Sequence, residues 1–219
     1  MGAIGNVDAV IVNQLKALFE ERCLEMLEWA CQTLKAKKNV NESWGEENIT
    51  ANLYILIHDS QKSIEYDIHP DCDHLIYNQD ILDNKKKAKT AHRIDLVFQH
   101  NWNKRRLSFY VEAKNLIEND YQRPGLKTKK RAACVLKRYI ETGIDHYITE
   151  YYPLGCMLGY VLNGTITGVV DKINKLLLRE ERTEETLRME VGTLPWICYS
   201  SMHKQHDLKI NHYFFDFSN

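Results

Sequence analysis

The feature that most constrains this chain is a pair of short segments, H-R-I-D-L-V-F-Q at 92–99 and L-S-F-Y-V-E-A-K at 107–114, joined by a polar stretch. Both alternate with the period of two that marks strands, and an antiparallel pairing with its turn centred between Asn103 and Lys104 matches them residue for residue. Ile94 then faces Ala113, Leu96 faces Val111 and Phe98 faces Phe109, so these apolar side chains form one core-facing stripe. A slip of one residue would set that stripe against polar neighbours, so the pattern selects a single register. The other face carries Asp95, Val97, Gln99, Tyr110, Glu112 and Lys114. Asp95 stands opposite Glu112, within about 5 Å at Cβ. Lys114 follows on the same face, about 7 Å along the strand.

Adjacent carboxylates on a rigid sheet repel one another, and a hard divalent cation relieves that repulsion. Such a cation offsets charge on a phosphoryl group under attack, and a neighbouring lysine can orient water or stabilise the same charge. These are the parts needed for phosphodiester hydrolysis. The plain alternative is a solvated hairpin face on which Glu112 and Lys114 are ordinary surface charges.

Asp95 followed by Glu112-Ala113-Lys114 resembles the (D)-x(n)-(D/E)-x-K motif of the PD-(D/E)XK, restriction-endonuclease-like nucleases, with Ile94 where the family has its proline. The resemblance implies that Asp95, Glu112 and the Ala113 carbonyl bind Mg²⁺, for which Mn²⁺ can substitute, and that Lys114 is the catalytic base or charge stabiliser. Family members often carry a further glutamate on a helix before the first core strand. The segment W-G-E-E-N-I-T-A-N-L supplies Glu46 and Glu47 there, and Glu47 is favoured as the additional metal ligand because Glu46 can serve the helix cap. The implied activity is Mg²⁺-dependent endonucleolytic cleavage of DNA, with RNA as the alternative substrate. The implied setting is restriction or anti-phage defence, beside a partner such as a helicase or ATPase subunit. The competing reading is a non-catalytic nucleic-acid-binding or assembly subunit that keeps the fold.

The rest of the chain fits a mixed sheet covered by helices, an α/β class. Helical periodicity runs over 7–38, and residues 1–42 are expected to form a helical segment packed on a single unit of 43–219. A second helix is expected from an N-cap at Ser43, with Glu46 three residues on, to Ile57. A strand follows at 63–68. Beyond the hairpin come a helical region at 127–151 interrupted at Gly143, a buried strand at 156–162 and an amphipathic helix at 165–182. A strand pair at 196–201 and 208–217 closes the chain.

With 29 basic and 30 acidic residues, net charge −1, nucleic acid cannot be held by overall charge and needs a local patch. The acid-free run from Arg123 to Arg138 offers one, with Lys127, Lys129, Lys130 and Arg131 as the candidate phosphate contacts, followed by Lys137. Lys104, Arg105 and Arg106 in the hairpin loop are a second group. Six cysteines without a C-x-x-C pair predict reduced thiols in a cytoplasmic protein. No signal segment, membrane-spanning run or Walker loop is read. The cluster H-P-D-C-D-H at 69–74 does not have zinc-finger spacing and is read as a surface loop, and His203 as packed or exposed rather than as a phosphate contact.

Overall fold

The computed structural model describes residues 9–77, 79–85, 87, 91–102, 105–122, 129–149, 155–190 and 197–218. Its centre is a seven-stranded mixed sheet with helices on both faces. The helices and strands follow in the order α1 (Ala9–Lys37), α2 (Glu46–His58), α3 (Gln61–Tyr66), β1 (His69–Ile76), α4 (Gln79–Leu82), β2 (His92–Trp102) and β3 (Arg105–Ile117). A small ribbon of β4 (Tyr121–Gln122) and β5 (Lys129–Lys130) precedes α5 (Ala132–Tyr139) and α6 (Asp145–Ile148). Then come β6 (Gly155–Asn163), α7 (Ile166–Arg179), β7 (Arg188–Glu190), β8 (Cys198–His203) and β9 (Leu208–Asp216).

The sheet order is β1-β2-β3-β6-β9-β8-β7. The first three strands are antiparallel, β6 lies parallel to β3 and to β9, and β8 and β7 close the far edge antiparallel. Parallel neighbours need crossovers, which α5 and α6 supply between β3 and β6, and α7 between β6 and β9. Strand β6 is buried along nearly its whole length, as G-C-M-L-G-Y-V-L-N suggests for a strand covered on both faces. Gly155 begins it where no side chain fits: a Cβ there would stand 1.8 Å from the Tyr110 carbonyl oxygen.

One face of the sheet packs against α1 and α2 through Cys23, Leu27, Leu34, Ile49, Leu53 and Ile57. The other packs against α5, α7 and the π-helical turn Ile140–Ile144, with Leu136, Ile144, Val169 and Ile173 among the contacts. Thr165 caps α7 by accepting from Gly168 N at 3.0 Å, a contact type worth about 1 kcal/mol. The break expected at Gly143 is that π turn, and a Cβ there would meet Met157 Cε at 2.3 Å.

Several expectations need correction. Residues 61–66 form a helix rather than part of a strand, with Ser60 as its N-cap. H-P-D-C-D-H is an edge strand, not a loop, because it pairs along β2. The cap of α2 is Gly45, while Ser43 Oγ donates to Asn41 Oδ1 at 2.7 Å. Helix α1 is continuous, but Val10, Ile11 and Leu18 are exposed and burial begins at Phe19. The thiols are all free, and Cys134 is exposed. Among the described residues no helix is long and apolar enough to cross a membrane.

Candidate active site

The β2–β3 register is the expected one, with Leu96 opposite Val111 and Phe98 opposite Phe109. The pairing stops at Leu96, however, and this reshapes the site. Ile94 leaves the stripe and packs with Val97 in the layer against α5 and α7. Beyond the break, the Ala113 N–H donates to Asp95 Oδ2 at 2.7 Å. The end of strand pairing thus turns the Asp95 side chain into a partner for the backbone of β3. Nor is this an outer surface: β3 is central, and Glu112 and Lys114 are 5% and 7% exposed.

Lys114 is the hub. Its Nζ donates to Glu112 Oε1 and to the Ala113 carbonyl at 2.9 Å, and stands 3.4 Å from Glu46 Oε1 and 3.9 Å from Asp95 Oδ2. Glu46, not the favoured Glu47, makes this contact, and its Oε2 accepts from Asn115 N at 2.9 Å. The reason is helical geometry: successive residues point about 100° apart, so only one of two adjacent glutamates in the first turn of α2 can face β3. Glu47 lines the adjoining cleft instead. Carboxylates are also favoured at a helix N-terminus, where the backbone N–H groups present positive charge.

Three carboxylates share one ammonium, and the electrostatics follow. Although 26% of the Asp95 side chain remains exposed, desolvation pushes its carboxyl up to about 6 against the pull of Lys114 and the Ala113 N–H. Burial, and then the charge of Asp95, push Glu112 up to about 8 in spite of Lys114. Burial alone would lower the Lys114 ammonium, but Glu112, Glu46 and Asp95 outweigh it and hold the pKa above its ordinary value. Glu112 Oε2 is buried without a donor. Among the described residues no three His, Cys, Asp or Glu side chains surround a point suited to a metal ion.

Beside this cluster opens a cleft of about 230 Å³, lined by Trp44, Glu46, Glu47, Lys114, Asn115 and, from β5 and α5, Lys130 and Arg138. The basic run therefore divides. Lys130 reaches the cleft, Lys129 pairs with Asp120 at 3.0 Å, and Arg131 is exposed at the N-cap of α5. Lys127 lies outside the described residues, as does Lys104. Arg106 sits at the opposite end of β3 from Glu112, roughly 20 Å away at strand spacing, so it does not serve this site. His203 is buried, and Tyr139 and Tyr147 belong to the core.

Sequence reading passed over Asn115 and Trp44. The available signal was position: Asn115 directly follows E-A-K, and Trp44 precedes the helix that presents Glu46. No family model, curated protein or solved structure matches this chain.

Proposed function

We propose that this chain is a metal-dependent nuclease of the restriction-endonuclease-like class, hydrolysing phosphodiester bonds of DNA. The observation that carries the reading is the convergence of Asp95, Glu112, Lys114 and Glu46 on one buried cluster at the edge of an open cleft. An ion cluster built only for stability would match its charges. Here one ammonium faces three carboxyl groups, and burial, then the charge of Asp95, raise Glu112 to about 8, so the cluster is short of positive charge.

The donor set fits a hard divalent cation such as Mg²⁺. Asp95, Glu46 and Glu112 offer carboxylate oxygens, and Lys114 occupies only Oε1 of Glu112, leaving Oε2 for another positive partner. The Ala113 carbonyl adds a neutral oxygen. When bound, the ion supplies Lewis-acid stabilisation of charge on a phosphoryl oxygen. The protein's own groups do the rest. The Ala113 N–H orients Asp95, and the Asn115 N–H orients Glu46. Lys114, which lines the cleft, carries a positive charge that would stabilise the negative charge developing on a phosphoryl group under attack. Lys130 and Arg138 supply cations for the flanking phosphates.

Incubating the purified protein with plasmid and Mg²⁺ tests the proposal. Wild type cuts; Asp95→Ala and Lys114→Ala leave the plasmid intact. Equal cleavage by all three would end it. One observation favours the competing reading of a non-catalytic subunit: Lys114 already touches each acid, as in a structural ion cluster. Calorimetry with Mg²⁺ separates the two, because the nuclease reading requires binding that Glu112→Gln weakens.

A further inference from the structure

The cleft contains a second unsatisfied group that the proposed hydrolysis does not use. Asn115 is 8% exposed and lines the cleft. Its Nδ2 donates to the Trp44 carbonyl at 2.9 Å, which fixes which end of the amide is the oxygen. That oxygen, Oδ1, is buried with no donor. A buried amide acceptor in this condition calls for a ligand that brings an O–H or N–H.

The cations around it are sorted in a way that points to the same ligand. Lys129 is paired with Asp120, and Lys137 with Glu141 at 3.2 Å. Lys130 and Arg138, which line the cleft together with Lys114, Glu46 and Glu47, have no carboxylate within ion-pair distance among the described residues. Trp44 adds a partly buried aromatic ring to the same lining. Free cations suit a phosphate, the indole suits a flat base, and the amide oxygen suits a donor on a sugar or base. At about 230 Å³ the space is far too small for a duplex and is on the scale of one nucleotide.

We propose that this cleft is a mononucleotide subsite: Lys130 and Arg138 hold the phosphate, Trp44 stacks on the base, and Asn115 Oδ1 accepts from a hydroxyl or N–H of the nucleoside. The choice of a nucleotide over other phosphate-bearing ligands rests on the nuclease reading. The role of Asn115 is discrimination. Sulfate, which is fully deprotonated, has no O–H to give an acceptor, so the amide rewards the nucleoside part of the ligand and the two cations reward the anion.

Binding of adenosine 5′-monophosphate, with inorganic sulfate as comparator, tests this in EDTA, where no cleavage is being asked for. Tryptophan emission and calorimetry are the readouts, and Trp44→Phe identifies the responding indole. Wild type is expected to bind the nucleotide at least tenfold tighter than sulfate and to lose emission on binding. Asn115→Ala should remove most of that preference, and Arg138→Gln, at an exposed position, should weaken both ligands about tenfold. Lys175→Gln, on α7 and away from this cleft, should bind as wild type does. Nucleotide binding no tighter than sulfate overturns the proposal. So does wild-type affinity in Arg138→Gln, which remains informative even where Asn115→Ala does not fold. A plasmid that is cut while the nucleotide fails to bind removes the subsite and leaves the nuclease reading standing. Nucleotide binding without cleavage does the reverse.

Discussion

Two groups of polar side chains are buried in this protein, and they are built on opposite terms. In the first, the Tyr139 hydroxyl lies 2.8 Å from His212 Nδ1, His212 Nε2 lies 2.8 Å from Ser201 Oγ, and Ser201 Oγ lies 2.8 Å from His203 Nε2. One placement of protons satisfies all three contacts: the tyrosine donates to His212, His212 to the serine, and the serine to His203. Burial, and then His203, lower His212 to about 3, so it stays neutral. The last nitrogen, His203 Nδ1, stands 2.8 Å from Glu185 Oε2. The second group is the Asp95 cluster, where acids outnumber the ammonium and Glu112 Oε2 lacks a donor. The neutral chain ties β8 and β9 to α5. Asp95 and Glu112 of the second cluster are shifted above their ordinary range by folding, so its charges are not matched for stability near neutral pH.

The largest test of this contrast is Glu112→Gln. Cleavage should fall about 10³-fold, while the metal-free protein becomes more stable by about 1 kcal/mol. Thermal melting checks the second half, and a variant less stable than wild type would remove the distinction between the two regions. His212→Ala should do the opposite. It strands the Tyr139 hydroxyl and Ser201 and leaves a cavity, for a loss of about 3 kcal/mol in denaturant unfolding. Cleavage per folded molecule should stay at the wild-type level; a specific loss of turnover would mean that the neutral chain is part of the site.

The dependence on pH sharpens the comparison further. Folding raises Glu112 from 4.5 to about 8, so the folded protein holds that proton more tightly than the unfolded chain does. Its contribution to stability is complete below about pH 4.5 and is lost as the pH rises through about 8. Asp95 adds to the same trend between 3.8 and about 6. Metal-free protein should therefore melt at a lower temperature at pH 8.5 than at pH 6, and Mg²⁺ should restore more stability at the higher value. A flat profile would mean that the cluster is not short of positive charge. The smallest expected effect separates two neighbours. Glu46→Gln should reduce cleavage about tenfold, the scale of one polar contact near 1.4 kcal/mol, and Glu47→Gln should change it less than twofold. Equal effects would place Glu47 in the site alongside Glu46.

Legibility from sequence was greatest where one physical rule acted alone. The β2–β3 register could be read because apolar matching admits a single alignment, and β6, α7 and the closing strands because their apolar patterns are strong. Reading failed where local signals competed. The polar segment 61–76 hid a short helix and an edge strand, because edge strands tolerate exposed polar side chains. Alternation alone puts Ile94 on the Leu96 face, but the ladder ends at Leu96, and where a ladder ends depends on its neighbours in space.

The amino-acid sequence by itself determined which residues could share a face of the hairpin, that an α/β architecture would cover them, and that any grip on nucleic acid must be local. Periodicity and charge count carry that information because they act between near neighbours. Only the tertiary structure decided that the hairpin is central rather than exposed, that Glu46 and not Glu47 touches Lys114, and that Asn115, Trp44, Lys130 and Arg138 meet in one cleft. Those outcomes depend on the packing of α2 and α5 beside β3. Burial and desolvation, which give the acids their raised pKa values, exist only once distant segments exclude water from the same small volume.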